Sequence, residues 1–332
     1  MEVPWTEESI FDSYDILEET FKTVSSHDIK AAILIPKDLK PGPHPVIYHI
    51  HGGFLVTAHG LFAPFFTKWM DRLALQKSAI IVSPDYRLLP SANGVADLLE
   101  DMEDCWQWVN LKLSSILQDK APGHTLDFSQ TLLVGGSAGG YCAAQLAFNH
   151  PDSFQALAMS YPLLDVKDKL YVEGVGPEDP NVLRFPTQDI PSKQDTLAWI
   201  EEKRREPHTR DGFERSPFAV AACHHGIFMS DLFDNKNLNR SEFNPLERLE
   251  AGETLPKNIW LMHGDDDSAV PVRGSKKFAD ILRKKSPQTN LRFDLVPGHD
   301  HAFEYDEKNW GSFAPEAIKF VTDAWLDGDE TK

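Results

Sequence analysis

The sequence predicts an α/β protein with a mostly parallel central sheet and helices on both faces. Short apolar runs alternate with amphipathic stretches over most of the chain, which is the signature of that class. Several apolar runs end in glycine or polar turns, and ligands sit at such strand ends in open parallel sheets. One stretch, Thr131 to Gly140, reads as strand, glycine turn and helix with Ser137 at the turn.

Composition sets the bounds. The chain has 332 residues and 41% hydrophobic content, enough for a sizeable core in one large unit. Asp and Glu number 51 against 33 Lys and Arg, a formal charge of −18. Such a surface argues against nucleic acid and anionic membrane as partners. The first eight residues have neither a basic start nor an apolar stretch, and no run approaches membrane-spanning length, so a cytoplasmic location is expected. Cys105, Cys142 and Cys223 are odd in number and far apart, which suits a reducing compartment without a disulfide framework. A monomer or homodimer is expected.

The elements follow in order. Residues 1–17 are acidic and read as an arm. Residues 21–24 and 29–35 read as strands around a turn at 25–28, and 37–45 as a proline-rich loop. Strand 46–50 runs into His51-Gly52-Gly53-Phe54. A helix over about 64–77 has Phe65, Phe66, Trp69, Leu73 and Leu75 as its apolar side. Phe62, Phe65, Phe66 and Trp69 are expected mainly in the core, with one or two lining the pocket. Strand 79–82 follows. A long helix over about 94–117 shows Asp97, Glu100, Asp101, Glu103 and Asp104 to solvent. Then come the central strand and turn, strand 156–160, strand 259–262, a helix at 272–285, strand 291–296 and a closing helix at 313–326. The alternation breaks between 165 and 250, a charged stretch that still carries Phe185, Trp199, Phe213, Phe218, Phe228 and Phe233. It is too long for a plain surface loop. It reads as an inserted cap, helical around 192–206, over the site together with the arm. Core segments at 18–164 and 251–328 thus flank a cap at 1–17 and 165–250.

Gly135-x-Ser137-x-Gly139 between strand and helix has the form of a nucleophile elbow. The turn lifts the hydroxyl where a base can reach it, and the helix N-terminus favours negative charge there. A serine hydroxyl needs a base, and the base an orienting acid. Asp265, Asp266 and Asp267 follow one strand, and His299 and His301 follow the next. No Cys-x-x-Cys or His-x-x-x-His spacing supports a metal, so neither metal nor cofactor is expected. Cys223-His224-His225 reads as cap packing or surface, and Cys142 as core.

With these residues in view the chain resembles the α/β-hydrolases, and more narrowly the hormone-sensitive-lipase-like branch of carboxylesterases. The resemblance rests on His51-Gly52-Gly53, Gly135–Gly140, Asp85-Tyr86-Arg87-Leu88-Leu89-Pro90, Gly264-x-x-Asp267-x-x-Val270-Pro271 and His301-Ala302-Phe303, in that branch's order. It implies Ser137 as nucleophile, Asp267 as orienter and His301 as base, with His299 lining the loop and His51 structural. It implies an oxyanion hole from the backbone N–H groups of Gly53, Phe54 and Ala138. Three positions depart from the branch: Phe54 replaces a third glycine and narrows the acyl site, Gly136 replaces an acid, and Ser91 replaces a glutamate. The charged cap and acidic surface resemble fungal esterases of secondary metabolism. The implied activity is hydrolysis of small to medium apolar esters through an acyl-enzyme. Lactone, amide or thioester cleavage, or a cyclisation, elimination or acyl transfer, would use the same site. A small-molecule receptor is the reading from another class, and it would ordinarily have lost a member of the triad.

Overall fold

The computed structural model describes residues 10–233, 240–310 and 314–326. Eight strands form one sheet in the order β1-β2-β4-β3-β5-β6-β7-β8. They span Tyr14–Val24 (β1), His27–Pro36 (β2), Gly42–Ile50 (β3), Ile80–Pro84 (β4), His124–Gly136 (β5), Ala156–Ser160 (β6), Asn258–Gly264 (β7) and Asn290–Val296 (β8). β1 and β2 pair antiparallel, as do β2 and β4, and every other pairing is parallel. The expected mostly parallel sheet is therefore present.

The helices used below are Lys68–Lys77 (α1), Val95–Trp108 (α2), Ser114–Lys120 (α3), Ala138–Asn149 (α4), Lys169–Val172 (α5), Lys193–Lys203 (α6), Ser216–His224 (α7), Pro245–Glu250 (α8), Val272–Lys285 (α9) and Ala314–Leu326 (α10). Two apolar clusters cover the two faces of the sheet. One gathers α1 and α10 through Met70, Leu73, Val321 and Trp325. The other gathers α2, α4 and α9 through Leu98, Met102, Ala144 and Phe278. Among the described residues no helix is long and apolar enough to cross a membrane.

The structure departs from the sequence reading in places with clear causes. β1 begins at Tyr14, so residues 14–17 belong to the sheet and not to the arm; residues 1–9 of that arm lie outside the described residues. Its burial alternates along an acidic edge strand, which disguises it as loop. The turn into β2 is only Ser25-Ser26, both with positive φ, as a tight hairpin requires. Residues 42–45, read as loop, extend β3 and pair with the start of β5. The long helix is broken by a π turn at Val109–Leu113 between α2 and α3. Asp97 and Asp101, expected on its wet face, are buried at 4% and 0% exposure because Arg87 folds onto them. That pairing gives Asp-Tyr-Arg a structural role: a desolvated cation held by two buried carboxylates.

The insertion between β6 and β7 has described helices α5 to α8, and 234–239 lie outside the described residues. Ser192 caps α6 by accepting from the Asp195 N–H. Its Trp199, Val220, Phe228 and Leu232 join the same apolar cluster as α2 and α4, so it shares the core's cluster.

Candidate active site

The site forms where β5, β7 and β8 end. At the end of β5 the chain reverses into α4 with Ser137 at φ 56, ψ −122, a strained conformation for a residue with a side chain. The turn fits only because its neighbours are glycine. A Cβ on Gly135 would lie 2.3 Å from Gly139 O, and one on Gly139 would lie 2.2 Å from Ile50 O. The Ser137 N–H donates to Ser160 O at 2.9 Å, and Leu163 N–H donates to Ser137 O at 3.1 Å. The elbow is thereby tied to β6 and to the segment that follows it.

Ser137 Oγ donates to His301 Nε2 at 3.0 Å, and His301 Nδ1 donates to Asp267 Oδ2 at 2.8 Å. The three residues the sequence singles out are thus brought into one hydrogen-bonded line across 164 residues of chain. Asp267 is held hard: its Oδ1 accepts from the Ala269 and Val270 N–H groups, and buried His263 lies 3.2 Å from its Oδ2. Burial alone would raise this carboxyl, but His301 and His263 outweigh that and hold it well below the carboxylate range. Burial opposes charge on His301, yet Asp267, with Glu304 and Asp300, raises the imidazole above its ordinary 6.5.

The rival residues lie elsewhere. Asp265 accepts from the Gly298 N–H, joining the two loops. Asp266 is exposed and pairs with Arg184. His299 bonds to the Pro297 carbonyl and is half-buried. Buried His51 stacks on Tyr86 with ring centroids 4.2 Å apart, and burial lowers it to about 3, so it stays neutral. Cys142 and Cys223 are both buried, which raises their thiols and leaves them inert.

A cavity of about 300 Å³ opens beside Ser137. Gly52, Gly53, Phe54, Ser137 and His301 line it on the sheet side, and Leu183, Phe185 and Phe213 line it from the insertion. Gly53 and Phe54 both have positive φ, and a Cβ on Gly52 would lie 3.0 Å from Gly136 O, so this loop and the elbow touch backbone to backbone. Ala138 begins α4, whose N-terminus faces the same place. Phe62, Phe65 and Trp69 line the cavity, while Phe66 is in the core; more of this aromatic group is therefore exposed to a ligand than the sequence suggests.

Sequence reasoning missed Glu304, Tyr161 and Thr67, which also line the cavity. Tyr161 follows β6 at a strand end, and Glu304 comes three residues after His301, so strand-end position was the signal available.

The family model described as an alpha/beta hydrolase fold matches residues 47–224. A probable carboxylesterase M8 of Phoma sp. (strain ATCC 20986 / MF5453) is 30% identical over 304 residues, covering 89% of this chain and 92% of that protein. The non-reducing polyketide synthase atr1 of Stereocaulon alpinum is 22% identical over 343 residues, which take in 94% of this chain and 13% of the synthase. An esterase from the hyperthermophilic archaeon Pyrobaculum calidifontis shares the fold with a TM-score of 0.61 at 17% identity, over 96% of this chain and 90% of that one.

Proposed function

On the premise that the chain belongs to the alpha/beta hydrolase fold family, we propose that it is a serine esterase cleaving small to medium apolar carboxylic esters. The observation that carries this reading is the line from Ser137 Oγ through His301 to buried Asp267 beside an apolar cavity. Ser137 Oγ attacks the ester carbonyl while His301 Nε2 takes its proton, and Asp267 holds the ring and offsets its charge. The N–H groups of Gly53, Phe54 and Ala138 receive the oxyanion. The intermediate collapses, His301 returns the proton to the leaving alcohol, and an acyl-Ser137 remains. His301 then deprotonates a water that releases the acid and restores Ser137. The insertion at 165–250 acts as a cap, because Leu183, Phe185 and Phe213 wall the cavity.

The likeness to a synthase supports a second reading, acyl transfer, in which an alcohol or amine and not water takes the acyl group. Product analysis with an added nucleophile separates the two.

The test is hydrolysis of p-nitrophenyl esters from acetate to laurate, wild type beside Ser137→Ala, with mass spectrometry after a fluorophosphonate probe. Wild type is expected to turn over short chains and carry one adduct, on Ser137. Ser137→Ala should lose about 10⁴-fold or more in kcat. Full turnover by that variant, or an adduct on another residue, would overturn the reading. Because His301 must be neutral to act as base and its pKa is raised, kcat/KM should fall with acid at a midpoint above 6.5.

A further inference from the structure

The cavity beside Ser137 is rich in aromatic side chains, but three of its lining residues carry a buried polar atom without a hydrogen-bond partner among the described residues, although Ser160 and the Glu304 backbone N–H also act on the Glu304 carboxyl. Thr67, Trp69 and Glu304 are 7%, 3% and 2% exposed. Among the described residues, Thr67 Oγ1, Trp69 Nε1 and Glu304 Oε2 have no hydrogen-bond partner. A buried group left unpaired costs on the order of 1–3 kcal/mol, and more if charged. Thr67 stands at the N-cap of α1, where its hydroxyl would ordinarily accept from the helix, and it makes no such bond. Trp69 lies two residues on in the same helix, and it shares a second, smaller void with Glu304. All three side chains line the one cavity beside Ser137.

Glu304 is fixed for use. Its Oε1 accepts from the Tyr161 hydroxyl at 2.6 Å, and its carbonyl accepts from Trp310 Nε1 at 2.6 Å. The Tyr161 ring in turn lies 4.3 Å, centroid to centroid, from that of His301. Burial raises the Glu304 carboxyl to about 7, so near neutrality it is present both as acceptor and as donor. The remaining walls are flat: Phe62 stacks with Phe213, and Phe65 with Tyr305.

We propose that Thr67, Trp69 and Glu304 form a subsite for a hydroxyl group, so that the substrates are esters with a hydroxyl-bearing ring on the arm held in this cavity. The hydroxyl donates to Glu304 Oε2 and accepts from the Trp69 Nε1–H, with the Thr67 hydroxyl completing the set. An ammonium group would satisfy the carboxyl but leave the indole N–H unmet, and a plain hydrocarbon would leave all three unmet. A flat ring matches the stacked walls. The inference rests on the esterase reading for the bond that is cut, whereas the binding it claims is independent of chemistry.

The experiment compares matched pairs that differ only by hydroxyl against methyl. Methyl 3-hydroxybenzoate against methyl 3-methylbenzoate probes the acyl arm, and 3-hydroxyphenyl acetate against 3-methylphenyl acetate probes the alcohol arm. Wild type is expected to prefer the hydroxyl member of at least one pair by about tenfold or more in kcat/KM. Glu304→Leu should bring that ratio to within about twofold of the ratio for alkaline hydrolysis, and Thr67→Val should lower it less. Should Glu304→Leu fail to fold, Glu304→Gln keeps the shape and should still cut the ratio. In parallel, binding of 3-hydroxyacetophenone and 3-methylacetophenone to Ser137→Ala, read by tryptophan fluorescence, should show the same tenfold preference. Absence of a preference in both pairs and in binding, or its survival in both Glu304 variants, overturns the subsite. Failure to hydrolyse any ester, with the binding preference intact, would overturn the esterase reading alone.

Discussion

The sheet and the insertion between β6 and β7 contribute to the same cavity in different currencies of structure. From the sheet side come all the ionisable side chains that line it, His49, Tyr161, His301, Glu304 and Tyr305, with Asp267 behind. From the insertion come Leu183, Phe185 and Phe213, which offer only apolar surface. The sheet side is locked by backbone bonds, such as Asp265 N–H to Val296 O at 3.1 Å and Asp266 N–H to His299 O at 3.1 Å. The insertion reaches the cavity through irregular chain, with Leu183, Arg184 and Phe213 all at positive φ. The sheet side thus supplies the ionisable groups of the cavity, and the insertion adds apolar wall.

The hardest blow to this division would be an intact reaction after damage to the sheet side. Asp267→Asn keeps the shape but offers His301 the wrong partner. It should lower kcat by about three to four orders of magnitude, with a melting curve still cooperative. A loss of less than tenfold would mean that the line from Ser137 to Asp267 is not what carries the reaction. On the insertion, Phe213→Gly removes one ring of the Phe62 stack and relieves a φ of 83°. The ratio of kcat/KM for octanoate over acetate should change by about tenfold, while kcat on acetate stays within about twofold. An equal effect on both esters would blur the division. The mildest probe is Arg184→Ala. Arg184 reaches from the insertion to Asp266 at 2.6 Å and Asp300 at 2.7 Å, and it is half exposed. Exposed pairs are worth about 0–1 kcal/mol, so kcat/KM should change by less than about fivefold. The salt dependence of the wild-type rate should shrink in this variant if the pair holds the insertion against the sheet.

The same division explains what could be read from the sequence. Strand ends are local: Gly135-x-Ser137-x-Gly139, the Gly264 loop and the His301 loop each follow a short apolar run, so their meeting could be anticipated from chain order. The parallel sheet was legible for the same reason. The acidic residues of α2 were misread because their partner, Arg87, lies on a separate segment and buries Asp97 and Asp101 from there. β1 was shortened because an edge strand rich in carboxylates lacks the apolar run that marks a buried one. Glu304 was invisible as a site residue, since a single carboxylate near a histidine says nothing about burial until Tyr161 and Trp310 are seen to close over it. The insertion carried no motif, and its wall residues are ordinary apolar side chains.

The contact of Gly139 with Ile50 O, and of Gly52 with Gly136 O, sets limits on how this chain can be varied. A methyl group at 135 or 139 would lie within 2.3 Å of a backbone oxygen, so those positions are closed to substitution whatever reaction is wanted, and position 52, at 3.0 Å, is tight. Gly136 is different: a Cβ there would meet nothing closer than 3.7 Å, against the Tyr161 ring. It is therefore the one glycine of the elbow where a library can place a side chain, beside the ring that bridges His301 and Glu304. Variation confined to Gly136 and to the wall at Leu183, Phe185 and Phe213 would search new substrates without disturbing the turn that presents Ser137.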